Sequence, residues 1–318
     1  MIKRLAIVVP CYNEEEALVD TNKVLNDLIK GLVIRSVIKD NSFILYVNDG
    51  SKDNTWSVIK DCYKNSKYVH GLNLAGNKGH QNALLAGLMQ VKDEVDVTIS
   101  IDADLQDDVG VIEEMINKYY AGADIVYGVR NDRTSDSGFK KFSAEAFYKL
   151  MNYMGAKTVY NSADFRLMSN RALDELSLYS ETHLFLRGLA PELGFKTDCV
   201  YYKRSPRLKG ESKYPLKKMI SFAFNGVTSF SDKPLTLILY LGFIAIFVSL
   251  VAVIYSLVQH FNGQTIQGWT SLFASIWFIG GVQLVSLGII GQYVGKTFIE
   301  TKKRPRYYIE SYLNHDKE

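Results

Sequence analysis

The sequence contains only three cysteines among 318 residues, at positions 11, 62 and 199. This number and spacing exclude a disulfide framework and a cysteine metal cluster, and they are typical of a protein in a reducing compartment. A net charge of +3 lacks the strong positive excess of many nucleic-acid-binding proteins. The N-terminus also lacks the apolar core of a secretory signal peptide, so we expect no cleaved leader.

Charged residues are absent from one long segment, 234–295. Within it, Leu235–Val258 and Ser271–Gly295 are each long and apolar enough to span a bilayer. The basic residues that flank the two segments are Lys217, Lys218, Lys233, Lys296, Lys302, Lys303, Arg304 and Arg306. Because the connecting loop has no lysine or arginine, the positive-inside rule predicts a multi-pass protein of the plasma membrane with both termini in the cytoplasm.

Apolar residues recur at helical spacing just before the first span. They predict an interfacial amphipathic helix over 215–233, with a helix packed on the soluble domain as the alternative. In the second span, Gly291 and Gly295 together with Gln283 and Gln292 indicate possible association of helices into a homo-oligomer. The predicted division is a soluble domain (1–214), the amphipathic helix (215–233), two transmembrane helices (234–296) and a basic cytoplasmic tail (297–318).

Short apolar runs alternate with helical patterns along the soluble part. The runs predicted to be strands are 5–10, 43–47, 69–74, 97–101, 125–128 and 198–203. This alternation predicts an α/β fold with a doubly wound, mostly parallel sheet. Ligands of such sheets bind beyond the carboxyl ends of the strands, so polar residues that follow a strand are candidates for the site.

Two carboxylates, Asp102 and Asp104, follow the run 97–101 directly. Like charges held this close are stable when a cation lies between them, and the oxygen ligands favour Mg²⁺ or Mn²⁺ completed by substrate phosphates. The alternative is a pair of solvated aspartates in a loop.

Polar residues also follow the other strands. Asn13 and Glu14 come after the first strand, where Asn13 is also a candidate N-cap for the next helix. Asp49 follows the second strand, and its alternative is an ordinary Asp-Gly turn. Asp164 lies near Arg166 in an apolar stretch, where a local ion pair is the alternative. Together these residues predict a site for a nucleotide diphosphate at one edge of the sheet.

Basic residues cluster just ahead of the amphipathic helix, namely Lys203, Arg204, Arg207, Lys209 and Lys213. A cluster next to a membrane surface binds phosphate or anionic headgroups, and a solvated loop is the alternative. A nucleotide site beside such a cluster indicates transfer of a group from a soluble nucleotide to a lipid phosphate.

Four motifs follow one another along the chain. They are Val9-Pro10-Cys11-Tyr12-Asn13-Glu14-Glu15, Val47-Asn48-Asp49-Gly50-Ser51, Asp102-Ala103-Asp104-Leu105-Gln106-Asp107 and Ala163-Asp164-Phe165-Arg166-Leu167-Met168. In this order they resemble the motifs of the family 2 GT-A glycosyltransferases. The resemblance is closest to the polyprenyl-phosphate branch, which contains bactoprenol glucosyltransferases and dolichol-phosphate mannose synthases. The similarity extends over essentially the whole chain.

The resemblance implies a GT-A domain and a role for each matching residue. The nucleotide pocket would be lined by Pro10, Asn13, Glu14 and Asp49. The metal ligands would be Asp102 and Asp104, with Gln106 close by. A loop near the donor or acceptor would carry Arg130 and Arg133. The catalytic set would be Asp104, the candidate base Asp164, and the phosphate-binding Arg207 and Lys213.

The implied reaction is an inverting transfer of a hexose from a nucleotide-diphosphate sugar, with UDP-glucose as the first candidate, to undecaprenyl phosphate. UDP-N-acetylglucosamine, UDP-galactose and GDP-mannose are alternative donors, and a membrane-anchored, non-catalytic binding or scaffold protein is the alternative of a different class. A phosphate monoester has a second pKa of about 6, so the acceptor needs little deprotonation near neutral pH. Asp164 is therefore expected to act either as a base or as a positioning group.

Overall fold

The computed structural model describes two parts of the chain separately. The described residues are 2–131, 159, 161–181, 186–204, 235–236, 238–244, 247–248, 251, 254 and 268–317. Arg133, Arg207, Lys213 and the predicted amphipathic helix (215–233) lie outside these residues.

A single eight-stranded sheet organises the first part, in the order β7-β5-β6-β4-β1-β2-β3-β8. Its strands are β1 (Leu5–Cys11), β2 (Phe43–Asn48), β3 (Val69–Leu74), β4 (Val97–Ser100), β5 (Ile125–Arg130), β6 (Ser162–Ser169), β7 (Thr197–Tyr202) and β8 (Ile309–Leu313). The six strands predicted from the sequence are confirmed, with ends that differ by at most two residues. Strands β1 to β4 are mutually parallel and β5 is parallel to β7, whereas β6 and β8 are antiparallel to their neighbours. The expected mostly parallel α/β sheet is therefore confirmed.

Helices follow most of the strands and cover the sheet. They are α1 (Glu15–Ile34), α2 (Thr55–Asn65), α3 (His80–Val91), α4 (Ile112–Tyr120), α5 (Asn170–Ser177) and α6 (Leu186–Glu192). Helix α3 lies very close to β1 and β2, because a Cβ on Gly87 would fall 2.5 Å from Val8 Cγ1 and 2.7 Å from Val47 Cγ2. Only glycine permits this approach, which fixes the amino end of α3 at the edge where the parallel strands end.

The antiparallel strand β6 brings its amino end to the same edge. Ser100, the last residue of β4, lies opposite Arg166 of β6. Because β6 runs in the opposite direction, Asp164 lies near the carboxyl end of β4, close to Asp102. The sequence motif around Asp164 was thus placed at the correct edge, although no strand was predicted there.

The segment predicted as a basic tail, 297–318, contains the last strand of the sheet. Strand β8 pairs with β3, and Leu313 packs against the hydrophobic core. The description as a tail is therefore wrong for residues 309–313. The physical reason is that β3 would otherwise present a row of unpaired backbone groups at the sheet edge, which an additional strand can satisfy.

The second part of the chain contains the helix α7 (Trp269–Thr301), which covers the second predicted span and extends beyond it at both ends. Among the described residues, Phe278–Thr301 is the one stretch that is long and apolar enough to cross a membrane. The other predicted span, 235–258, lies partly outside the described residues.

Candidate active site

Asp102 and Asp104 lie just beyond the end of β4, as the sequence predicts. The backbone N–H of Ile101 still donates to the carbonyl of Val8 (3.1 Å), so the chain leaves the sheet at Asp102. Asp104 accepts a hydrogen bond from the N–H of Gln106 (3.2 Å), across a turn in which Leu105 adopts a φ of +50°. Left-handed backbone is unfavourable for a leucine, and such conformations cluster at functional sites.

The carboxyl group of Asp102 lies in a field that disfavours its charge. Burial and the negative charges of Asp164, Asp107 and Asp104 raise its pKa to about 6, against an opposing effect of His80. A divalent cation would remove this electrostatic penalty, and the carboxylate oxygens suit a hard ion. Among the described residues, no group of three His, Cys, Asp or Glu side chains forms a metal cage. Two carboxylates fill only part of the octahedral shell of Mg²⁺, so ligand oxygens would complete it.

Asp164 is almost completely buried, with 2% of its surface exposed, and is surrounded by cationic and amide donors. Arg187 donates to both carboxylate oxygens, from Nε to Oδ1 at 3.1 Å and from Nη2 to Oδ2 at 2.9 Å. Nη2 of Arg166 lies 3.4 Å from Oδ1, so the local ion pair that the sequence offered as the alternative is present. His80 Nε2 lies 3.2 Å from Asp164 Oδ2 and 3.6 Å from Asp102 Oδ1, which connects the two carboxylates.

The side chain of Gln81 joins Asp164 to the start of α6. Its amide nitrogen donates to Asp164 Oδ2 (3.1 Å), and its amide oxygen accepts from the N–H of Leu186 (3.1 Å). Arg166 donates to the carbonyl of the same Leu186 (2.8 Å). These contacts fix the backbone next to Arg187 and so direct its guanidinium towards Asp164.

The surrounding charges determine the protonation of Asp164. Burial alone would raise its pKa, but the ion pair with Arg187 and the contacts with His80 outweigh that effect and hold the pKa well below its usual range. The pKa of His80 is raised, because contacts with Asp164 and Asp102 outweigh its burial. Asp164 is therefore an anion throughout the neutral range and has little tendency to take up a proton.

Asp49 follows β2 and is bound by the backbone of the next loop. Its carboxylate accepts hydrogen bonds from the N–H groups of Lys78 (2.7 Å) and Gly79 (2.9 Å). Burial raises its pKa, and these two hydrogen bonds oppose that change. Gly50 has a φ of +61°, so the Asp-Gly turn considered from the sequence is also present. Each carboxylate oxygen keeps a second lone pair for a ligand.

The loop after β1 is hydrogen-bonded to the loop after β2. Asn13 has a φ of +54°, and its side-chain oxygen accepts from the N–H of Lys52 (2.9 Å), while the N–H of Glu14 donates to Thr55 Oγ1 (2.9 Å). Asn13 is therefore not the N-cap of α1, and that prediction is wrong: Glu14 occupies the position, and no side chain caps the helix there. The amide is already bound to the neighbouring loop. Pro10 is the penultimate residue of β1, next to these loops.

Gln106 and Arg130 are the remaining described residues of the predicted site. Arg130 pairs with the buried Asp107 (3.2 Å), which also accepts from the hydroxyl of Tyr202. Arg204 donates to the side-chain oxygen of Gln106, so the first described arginine of the basic cluster reaches the acidic edge. The Oδ2 atom of Asp107 is buried without a hydrogen-bond partner among the described residues.

The structure thus collects most of the predicted site residues along one edge of the sheet. His80, Gln81 and Arg187 are additional residues at this edge, and Arg204 of the predicted basic cluster also reaches it. His80 starts α3, and its contacts with two carboxylates were not predicted. A polar His-Gln pair at the start of a helix that follows a buried strand was the available signal for His80 and Gln81. We find no comparable sequence signal for Arg187.

Comparison with known proteins identifies the family. The family model described as glycosyl transferase family 2 matches residues 6–177. An uncharacterized glycosyltransferase of Bacillus subtilis, YkoT, is 52% identical over 306 residues, covering 96% of this chain and 91% of the relative. A prophage bactoprenol glucosyl transferase homolog of Escherichia coli is 38% identical over 314 residues, covering 96% and 98%. Among solved structures, the mannosyltransferase PcManGT from Pyrobaculum calidifontis has a TM-score of 0.47 and 13% identity, covering 94% of this chain and 85% of that one.

More than half of the chain matches the family model, and the two relatives match along nearly their full lengths. The chain belongs to glycosyl transferase family 2, and it is a glycosyltransferase.

Proposed function

We propose that the protein transfers a hexose from a nucleotide-diphosphate sugar to undecaprenyl phosphate, with inversion at the anomeric carbon. UDP-glucose is the first candidate donor. The observation that carries the proposal is the 38% identity, over nearly the full length of both chains, to relatives named bactoprenol glucosyl transferase. The site geometry supports it, because acidic groups suited to a metal-bound diphosphate lie beside the buried Arg166 and the half-buried Arg187.

The donor would bind across the carboxyl ends of β1, β2 and β4. Asp49, Asn13 and Glu14 belong to loops that are hydrogen-bonded to one another or to the next loop, which gives the nucleoside a fixed surface. Pro10, at the end of β1, would line the same pocket.

Asp102 and Asp104 would hold Mg²⁺ or Mn²⁺. The raised pKa of Asp102 and the unpartnered buried oxygen of Asp107 both support a cation site at this edge. A bound divalent ion supplies charge neutralisation to the leaving diphosphate. Gln106 and Arg204 extend this polar surface beyond Asp104, and Arg130 supports it from Asp107.

In the proposed reaction, a phosphate oxygen of the lipid forms a bond to the anomeric carbon, and the bond from that carbon to the nucleoside diphosphate breaks with its electron pair. The attacking phosphate monoester is already largely ionised above its second pKa of about 6, so no proton needs to be removed from it. The low pKa of Asp164 agrees with this, since a strongly stabilised anion is a poor base. Asp164 therefore positions Arg187 and His80, or the sugar hydroxyls, rather than accepting a proton.

The acceptor would approach from the membrane. The candidate span Phe278–Thr301 supports a membrane location. Two spans, cytoplasmic termini, an interfacial helix at 215–233 and a homo-oligomer formed through the spans belong to this proposal. So do roles for Arg133, Arg207 and Lys213 at the donor or acceptor phosphates.

Purified full-length protein, incubated with undecaprenyl phosphate and separately radiolabelled UDP-glucose, UDP-N-acetylglucosamine, UDP-galactose and GDP-mannose, tests the proposal. We expect label in the lipid fraction with UDP-glucose in the presence of Mg²⁺ or Mn²⁺. Transfer from another donor would retain the reaction and correct the sugar. Binding of nucleotide without transfer to any lipid phosphate would favour the non-catalytic alternative and reject the proposal.

A further inference from the structure

The last strand of the sheet reaches the edge where the donor is proposed to bind. In the pairing of β8 with β3, Ser311 lies opposite Asn73 and Ile309 lies opposite Leu74, so Glu310 is an additional residue at an irregularity in the ladder. A bulge of this kind redirects a side chain. Here the Glu310 carboxylate accepts a hydrogen bond from the side-chain amide of Asn73 (2.7 Å).

Asn73 connects Glu310 to the turn that carries Asp49. The side-chain oxygen of Asn73 accepts from the side-chain amide of Asn48 (2.7 Å), and both asparagines are buried. The side-chain oxygen of Asn48 in turn accepts from the N–H of Ser51 (3.3 Å). A continuous series of side-chain hydrogen bonds thus leads from Glu310, across β3 and β2, to the residues on either side of Asp49.

A second contact joins the start of β8 to the loop that holds Asp49. The carbonyl of Tyr308 accepts from the N–H of Ala75 (2.9 Å), and Lys78 Nζ lies 5.8 Å from the centre of the Tyr308 ring. Lys78 and Gly79 are the residues whose N–H groups bind the Asp49 carboxylate. The C-terminal strand therefore contacts both segments that define the position of Asp49.

These contacts differ from those at the other end of the strand segment. There, Asp316 pairs with Arg4 at the amino edge of the sheet, far along the strands from Asp49. The side-chain amide of the buried Asn314, also at that end, donates to Glu94 (3.5 Å). Among the described contacts of this segment, those that lead to the Asp49 turn lie at the Glu310 end.

We propose that Glu310 is a positioning residue for the nucleotide donor, acting through Asn73 and Asn48 on the Asp49 turn. The inference rests on the proposed function, since it assigns the nucleoside diphosphate to the Asp49 pocket. Residues 302–308 connect β8 directly to α7, so the chain that leaves the candidate membrane helix also forms part of the support of the donor pocket.

Three variants of the full-length protein test the inference. Glu310→Leu removes the acceptor for Asn73, whereas Glu310→Gln keeps an oxygen acceptor of similar length. Asp316→Asn is the matched control, because it weakens the attachment of the same segment at its other end. The measurements are the KM for the sugar nucleotide, the KM for undecaprenyl phosphate, kcat, and the Kd of UDP and GDP by calorimetry.

We expect Glu310→Leu to raise the donor KM and the nucleoside-diphosphate Kd by about 3- to 10-fold, the effect of one unsatisfied buried donor. The acceptor KM and kcat should stay within about 2-fold, and Glu310→Gln and Asp316→Asn should resemble the wild type. Unchanged donor binding in Glu310→Leu, or equal effects of Glu310→Leu and Asp316→Asn, would overturn the inference. Nucleotide binding decides this even if no lipid product forms, whereas absence of lipid product in the wild type would count against the proposed function alone.

Discussion

Replacing Asp164 by asparagine separates a positioning role from a role as general base. The carboxylate carries the bidentate contact of Arg187, the contact of His80, the amide of Gln81 and the ion pair with Arg166. Asparagine keeps the size of the side chain but removes the charge, so the buried guanidinium of Arg166 loses its compensating anion.

The cost in stability follows from this loss. Removing one partner of a buried ion pair typically costs about 3–5 kcal/mol. For a domain of this size, each kcal/mol lowers the melting temperature by about 2–4 °C, so we expect a decrease of about 6–20 °C. Because the folded-state pKa of Asp164 is depressed, its contribution to the free energy of unfolding is present above the usual carboxyl pKa and is lost as pH falls through the folded-state value. Asp164 also raises the pKa of His80, and the stability from that contact is present below the usual histidine pKa and is lost as pH rises. The decrease in melting temperature should therefore be larger at pH 6 than at pH 8.

The pH dependence of transfer distinguishes a positioning role of Asp164 from a role as general base. Asp164 is anionic at both pH 5.5 and pH 8, so the factor by which Asp164→Asn lowers kcat/KM should agree at the two values within about 3-fold. A general base that titrates in this range would behave differently, because the wild type would already have lost it at pH 5.5. A loss that grows from pH 5.5 to pH 8 along a titration curve would refute the positioning role.

A double variant allows the ion-pair geometry to be tested even if Asp164→Asn does not fold stably. If Asp164→Asn is too unstable to assay, the double variant Asp164→Asn/Arg187→Gln removes one of the unpaired cations. Residues in direct contact are energetically coupled, so the double variant should be destabilised by less than the sum of the single variants. Simple additivity in thermal unfolding would contradict the ion-pair geometry on which the prediction is based.

Two further predictions concern the metal pair and the Asp49 turn. Asp102→Asn and Asp104→Asn should abolish metal-dependent transfer while membrane insertion is retained, and full wild-type activity in excess chelator would exclude the metal site. Gly50→Ala should lower the free energy of unfolding by at least about 1–3 kcal/mol, since Gly50 has a φ of +61° and a Cβ would lie 2.5 Å from the backbone of Gly76 and Asn77. Denaturant unfolding measures this cost, and Gly76→Ala, where a Cβ meets nothing within 4 Å, is its control.

The strands that carry the site could be predicted from the sequence, because the pattern that identifies each strand lies within the strand itself. A buried parallel strand is a continuous apolar run, and the polar residues that follow it must lie at the ligand-binding edge. Asp49, Asp102 and Asp104 were located by this rule alone. Asp164 was placed at the same edge, but its strand was not predicted, because β6 runs antiparallel to β4 and carries Asp164 near its start.

The remaining features depend on partners that are distant in the chain. Arg187 is 23 positions from Asp164, and its contact depends on Gln81 and Arg166 fixing the start of α6. Strand β8 has no strong apolar alternation and forms on the edge that β3 already provides. Asn13 has a residue type that favours a helix cap, yet the N–H of Lys52 in another loop binds its side chain.

The two central acids of the site have opposite electrostatic surroundings, and this difference separates their roles. Burial and neighbouring carboxylates raise the pKa of Asp102 to about 6, so a cation would stabilise its charged form. Asp164 has two arginines of this chain as partners, and its pKa is lowered, so its charge is already balanced. Groups whose environments shift their pKa values apart perform different tasks in one site. In the proposed reaction, Asp102 would therefore hold the metal on the leaving diphosphate, and Asp164 would order the arginines that the incoming phosphate and sugar meet.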